Sequence, residues 1–325
     1  MNVHRFEDAP PGEIAAALAR FERQFTYPLG PERSFHISHG EDYPRFFRAI
    51  GGRGRAASFV SVGERGEILG TLGVALRQVL APDKAKITSA YLGDLKTAPD
   101  ARRARVLVAL SAAAFAWGRQ QGAVAAYGVV MDGTPRAPST YSGRFGIPAF
   151  AVAGHVCVLR LPVPPASGGD EEPHPTTTSV AGVDEEYNRL GTGRYTPSGG
   201  CPAERSEMPA WPMVDGPQRA CGILEDTRRA KRLLLDDGSE MVSAHLSKFA
   251  YADPAAGASL VRRALDLCAR RNLAPALFVS VPAVDAGTFA GLLKDVPGIV
   301  HAPATIYAAG LRAGTAAWNL NTAEI

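Results

Sequence analysis

Cysteine is scarce. The chain has four among 325 residues (Cys157, Cys201, Cys221 and Cys268), with no paired C-x-x-C spacing, so neither a disulfide framework nor a zinc knuckle is expected. Cys157 lies in the apolar run Val156-Cys157-Val158-Leu159 and Cys268 in a predicted helix, and both read as small core residues. No apolar run approaches the ~18–20 residues that cross a bilayer. The first eight residues, Met1-Asn2-Val3-His4-Arg5-Phe6-Glu7-Asp8, carry acids where a secretion signal would be basic and then apolar. The expectation is therefore a cytoplasmic protein. An excess of one charge is also lacking: a net +3 points to neither a membrane surface nor a nucleic-acid partner.

What remains is an ordinary globular balance, 46% hydrophobic and 21% charged, in a chain longer than one core usually serves. A Pro/Gly/Ser/Thr stretch from Pro162 to Pro212 has few aliphatic residues and reads as a linker or loop-rich excursion. Aromatic residues in it (Tyr187, Tyr195, Trp211) suggest partial order. It divides the chain into an N-terminal domain (1–161), the linker (162–212) and a C-terminal domain (213–325).

The halves read alike. In the first, Ile14, Leu18 and Phe21 line one face of a helix over 12–23, and a short helix covers 43–50. Strands follow at 57–62, 68–80 and 86–95, with Glu64-Arg65-Gly66-Glu67 turning the first hairpin. A helix over 103–120 carries Val106, Leu110, Ala113 and Trp117 on one face and is closed by Gly122. Strands at 124–131 and 150–161 complete that half. The second half shows strands at 220–225, 230–235 and 241–251, a helix at 260–271, and strands at 275–281 and 305–311. Ala90-Tyr91-Leu92 matches Ala244-His245-Leu246 at an offset of 154, and the same offset sets Leu107 against Val261.

This order, with Tyr91-Leu92-Gly93-Asp94-Leu95-Lys96-Thr97-Ala98-Pro99 and Ala137-Pro138-Ser139-Thr140-Tyr141-Ser142-Gly143-Arg144-Phe145-Gly146, resembles the GNAT superfamily of N-acetyltransferases. The first run is similar to that family's fourth strand and the second to its A-x-x-L-Y-x-x-x-G-F segment, with the final pair inverted. The resemblance is good over 59–161 and weak over 220–311. It implies an α/β fold with a mixed sheet, two GNAT-like domains in tandem with a degenerate second copy, and N-acyl transfer from a pantetheine thioester to an amine.

By the same resemblance, the sheet splays after the fourth strand, and the backbone of Leu95, Lys96 and Thr97 receives the donor and polarises its carbonyl. The family's phosphate loop, Q/R-x-x-G-x-G/A, reads here Arg102-Arg103-Ala104-Arg105-Val106-Leu107, with both glycines lost. Arg102, Arg103 and Arg105 then either hold the phosphates of coenzyme A or dock an acidic acyl carrier protein bearing a phosphopantetheine arm. They also fit a solvated surface cluster.

Tyr141 is the candidate acid for the departing thiolate, since a phenol can donate and then recover a proton; packing on the sheet is the plainer alternative. Its counterpart in the second half falls near Phe289, which cannot donate, and this places chemistry in the first half. Asp94 is the candidate base, with Asp132 behind it; His36 and His39 fit solvent-exposed loop positions better. Pro254-Ala255-Ala256-Gly257-Ala258-Ser259 keeps a Gly-x-small step that suits a tight helix entry. The acceptor reads as a small-molecule amine, and no metal is called for. Two further classes stay open: aminoacyl transfer from tRNA, disfavoured by the weak charge, and a non-catalytic binding module.

Overall fold

The computed structural model describes residues 1–28, 34–101, 103–134, 136–165, 178–215, 218–312, 314 and 316–325, with Arg103 described by its backbone only. The first half runs β1 (Asn2–Phe6), α1 (Gly12–Glu22), β2 (Tyr27–Pro28), β3 (Ser34–Ser38), α2 (Arg45–Gly51), β4 (Ala56–Val62), β5 (Ile68–Leu80), β6 (Lys86–Thr97), α3 (Arg103–Gln120), β7 (Ala125–Met131) and β8 (Ala151–Pro162). The rest runs α4 (Val180–Leu190), β9 (Thr196–Pro197), α5 (Pro202–Arg205), β10 (Trp211–Val214), β11 (Ala220–Glu225), β12 (Arg232–Leu235), β13 (Ala244–Tyr251), α6 (Pro254–Arg271), β14 (Ala276–Pro282), α7 (Ala286–Leu292) and β15 (Val300–Ala309). The stretch read as linker thus carries α4, β9, α5 and β10 within its described part; Pro and Gly there mark turns between short elements. No helix among the described residues is long and apolar enough to cross a membrane.

Both halves share one mixed sheet in the order β1-β4-β5-β6-β7-β15-β8-β14-β13-β11-β10, with β9 beside β5. The closing strands are exchanged. The strand expected to close the first half, β8, pairs with β14 of the second, and the last strand, β15, pairs with β7 of the first. A second departure concerns β12, which the sequence placed among the strands of the second half. It leaves that sheet and pairs antiparallel with β3 of the first half, Arg232 opposite Ser38 and Leu235 opposite Phe35.

Two apolar layers sandwich the first-half strands. On one face α3 lays Val106, Leu110, Ala114 and Trp117 on Phe59, Leu72, Val74 and Ala90. On the other, Leu18 and Phe21 of α1 and Phe46, Phe47 and Ile50 of α2 cover Val60, Ala75, Tyr91 and Tyr127. Residues 318–325 thread along this second face. Trp318 is fully buried against Tyr127 and Tyr195, the Tyr91 hydroxyl donates to the Glu324 carbonyl at 2.6 Å, and the Glu324 carboxylate is held by Arg77 and Arg205. Burying those charges is tolerable because each is paired.

Candidate functional site

Strands β6 and β7 run parallel but pair at three positions only, Ser89 with Ala125, Ala90 with Ala126 and Tyr91 with Tyr127. Beyond them β6 continues against β5 and β7 against β15, so two strand edges face each other without a shared ladder. Such edges present the amide groups that an extended, amide-bearing chain can pair with. Gly128 sits at the fork: a Cβ there would lie 3.0 Å from the Leu92 carbonyl oxygen, so a side chain would project into the divergence.

A bulge deforms β6 at the same place. Register with β5 shifts between Gly93 and Lys96, Asp94 takes φ +53°, and Thr71 Oγ1 donates to the Asp94 carbonyl at 2.9 Å. The bulge sends neighbouring side chains to opposite faces. Leu95 packs toward the α3-side core, while Asp94 and Lys96 turn to the α1/α2 side.

On that side lies a buried polar group. The Lys96 ammonium is 2.5 Å from the Asp94 carboxylate, and the Tyr43 hydroxyl donates to the same carboxylate. Burial alone would raise the Asp94 carboxyl, but the Lys96 charge, the His39 ring and hydrogen bonds from Lys96 and Tyr43 outweigh it and hold it below the usual carboxylate range. Burial would likewise lower Lys96, and Asp94 reverses the sign. The Tyr43 phenol is pushed well above its ordinary value by burial and then by Asp94. Beside them Glu22 and His39 are 1% and 5% exposed, with His39 Nδ1 2.5 Å from Glu22 Oε1. Lys231, delivered by the segment before β12, donates to the Ile325 carbonyl, stands 4.7 Å from the Phe46 ring and is lowered by burial to about 8.

Glu22, His39 and Asp94 bring donor atoms within 4.8 Å of one another, the span of a metal site. The Glu22–His39 hydrogen bond and the Lys96 ammonium already engage the atoms a cation would need, so this set fits proton handling better.

Tyr141 follows a short 3-10 turn at Pro138–Thr140 and is half-buried. Burial raises its phenol, with the Tyr307 phenol of β15 adding to the effect. Tyr307 packs with the α3-side core. Asp132 accepts from Thr305 Oγ1 at 2.8 Å and so ties β7 to β15. Thr97 is half-buried at the end of β6, and Arg105 is exposed in the first turn of α3. Arg102 and the Arg103 side chain lie outside the described residues. His36 sits on β3 opposite Leu234, whereas His39, expected in solvent, is buried.

The sequence reading missed Glu22, Tyr43 and Lys231. One signal was available for Glu22, which stands four residues after Leu18 and so continues the apolar stripe of α1. Lys231 gave none, because its contribution depends on β12 crossing between halves.

The second half repeats the geometry in a more buried setting. Strands β13 and β14 pair only at Ala244–Leu277 and His245–Phe278, and Lys248 takes φ +49° beside a register shift between Cys221 and Ile223. Here β13 is buried along its whole length. Lys248 Nζ is bonded to Asp184 of α4, and Phe289, fully buried, packs 5.2 Å from Tyr251. At the start of α6 the Asp253 carboxylate accepts from the N–H groups of Ala255 and Ala256, taking the place an anionic ligand would hold.

No protein-family model matches the chain, and no curated protein matches it. Solved structures do. The chain is similar to Saccharomyces cerevisiae N-myristoyltransferase with bound myristoyl-CoA, at 11% identity and TM-score 0.58 in one crystal structure, covering 96% of this chain and 83% of that one. In another the figures are 10% and 0.60, covering 99% and 81%. This likeness shows the fold alone, a mixed α/β fold of two GNAT-like halves.

Proposed function

We propose that the protein is an N-acyltransferase that moves an acyl group from acyl-coenzyme A to the amine of a small molecule, with the second half degenerate. The observation that carries this reading is the fork between β6 and β7, bulged at Asp94 and left without a shared ladder, while at its copy between β13 and β14 the strand β13 is buried along its whole length. The pantetheine arm lies in the first fork, pairing with backbone of Leu95, Lys96 and Thr97. A backbone N–H of that strand polarises the thioester carbonyl. Arg105, in the first turn of α3, binds the phosphates through its charge, together with Arg102 and Arg103.

Tyr141 supplies the proton that the thiolate takes as the C–S bond breaks. Asp94, already neutralised by Lys96 and hydrogen-bonded by Tyr43, orients the acceptor rather than taking its proton. Coenzyme A is preferred over a carrier protein because the similar yeast enzyme was solved with myristoyl-CoA bound.

The test is release of free thiol from acetyl-CoA with a panel of primary amines. Amine-dependent release supports the reading. Transfer from a loaded acyl carrier protein with none from acetyl-CoA would replace the donor, and binding of coenzyme A without transfer to any amine would leave a binding module.

A further inference from the structure

Amines at neutral pH are ammonium ions, so acyl transfer needs a group that removes a proton before attack. Asp94 is poorly suited, since two donors already hold its charge. The neighbouring pair is built differently. One carboxylate, Glu22 at the end of α1, grips His39 twice: Oε2 accepts from the His39 backbone N–H at 3.1 Å and Oε1 meets ring Nδ1 at 2.5 Å. The imidazole is wedged between Tyr43, at 4.7 Å between ring centres, and Phe46, at 5.4 Å. That grip makes Nδ1 the donor and leaves Nε2 as acceptor. β12 fixes the segment from the other side, with Arg232 opposite Ser38, next to His39.

A buried carboxylate and imidazole cost stability that apolar residues would not, and this pair stands within 4.8 Å of Asp94 at the bulge. From these placements we infer that His39 is the general base of the proposed transfer, with Glu22 as its positioning residue. The inference rests on the acyl-transfer reading. Among the described residues, the charged and titratable groups around the pair are Tyr27 on β2, Tyr43 before α2, and Asp94 and Lys96 on β6, with Lys231 before β12 standing over the Phe46 ring beside His39.

The steps balance. The ammonium gives one proton to His39 Nε2, and the free amine forms the C–N bond at the thioester carbonyl. Collapse breaks the C–S bond, the thiolate takes the Tyr141 proton, and the tyrosinate recovers one from the amide nitrogen. His39 then releases its proton to solvent. Products are the amide, free thiol and one proton.

The experiment compares turnover of one alkylamine with acetyl-CoA at pH 7 and at pH 10, where much of the amine is already neutral. Wild type, H39Q and E22Q are compared, each checked for folding by thermal melting. Gln keeps a donor for Glu22; should H39Q fail to fold, E22Q carries the same comparison. H39Q should lose on the order of 10²–10⁴-fold at pH 7 and under about tenfold at pH 10, with a smaller loss of the same trend in E22Q. Equal losses at both pH values would overturn the base role and leave His39 structural. A wild-type protein that transfers to no amine at either pH would overturn the acyl-transfer reading itself.

Discussion

Asp94 and Lys248 stand at the same offset of 154 residues that relates Ala90 to Ala244, and both adopt left-handed backbone, with φ +53° and +49°. Neither is glycine, and such geometry in a non-glycine residue persists only where its surroundings enforce it. The enforcing feature is a strand bulge at the mouth of a fork, kept in both halves. The side chains show the divergence. Asp94 joins a buried group of titratable side chains, while Lys248 is bonded to Asp184 of α4 within its own half.

If the second fork is only structural, Gly257 serves packing. A Cβ there would meet Phe289 at 2.8 Å and Tyr251 at 3.0 Å. Gly257→Ala should destabilise the protein by about 1–3 kcal/mol through overpacking. Turnover per folded molecule should stay at the wild-type value. Chemical denaturation alongside steady-state kinetics checks both halves of this expectation.

Tyr141 is half-buried, so losing its hydroxyl costs little stability. Tyr141→Phe should lower kcat by roughly 10²–10⁴-fold with donor KM nearly unchanged, as expected for a proton donor used in the transition state. Wild-type turnover in this variant would remove the phenol from the mechanism.

Arg105 is exposed at the start of α3, where the family loop would hold phosphate. Arg105→Glu should raise KM for acyl-CoA about tenfold or more, leave kcat within about twofold, and reduce the salt dependence of donor binding. An unchanged KM would assign Arg105 to a solvated surface.

Lys231 gives a stability prediction with a defined sign. Its amine is lowered by burial to about 8 in the folded protein, against about 10.4 for an unfolded lysine. Between those values the unfolded chain binds more protons, so this group makes stability rise with pH across roughly 8 to 10. Its destabilising contribution is fully present below pH 8. The melting temperature of wild type should therefore gain on that of Lys231→Met as pH climbs from 8 to 10. A constant difference would show that the ammonium is not disfavoured by its site.

Much of the fold was legible from local pattern. The boundaries of α3, β5 and β11 follow from periodic apolar residues and flanking turns, and Tyr91-Leu92-Gly93-Asp94 marks the strand that splays. What local pattern does not carry is partner choice. The strand at 230–235 reads Ala230-Lys231-Arg232-Leu233-Leu234-Leu235, and nothing in its residues says that it pairs with β3 across the chain. The same holds for the exchange of β8 and β15. The site was half legible for this reason: Asp94 and Lys96 lie on a recognisable strand, whereas Glu22, His39 and Lys231 meet them only after long-range pairing has brought three separate segments together.

The central claim is that the donor's pantetheine arm threads the fork between β6 and β7, and calorimetric titration with coenzyme A tests it most directly. Gly128→Val plants a side chain at the fork, while Gly257→Ala perturbs packing in the other half. The account predicts saturable binding to wild type and Gly257→Ala, and loss of binding by at least about a hundredfold in a folded Gly128→Val protein. Equal affinity in all three, or no binding to wild type, would contradict it.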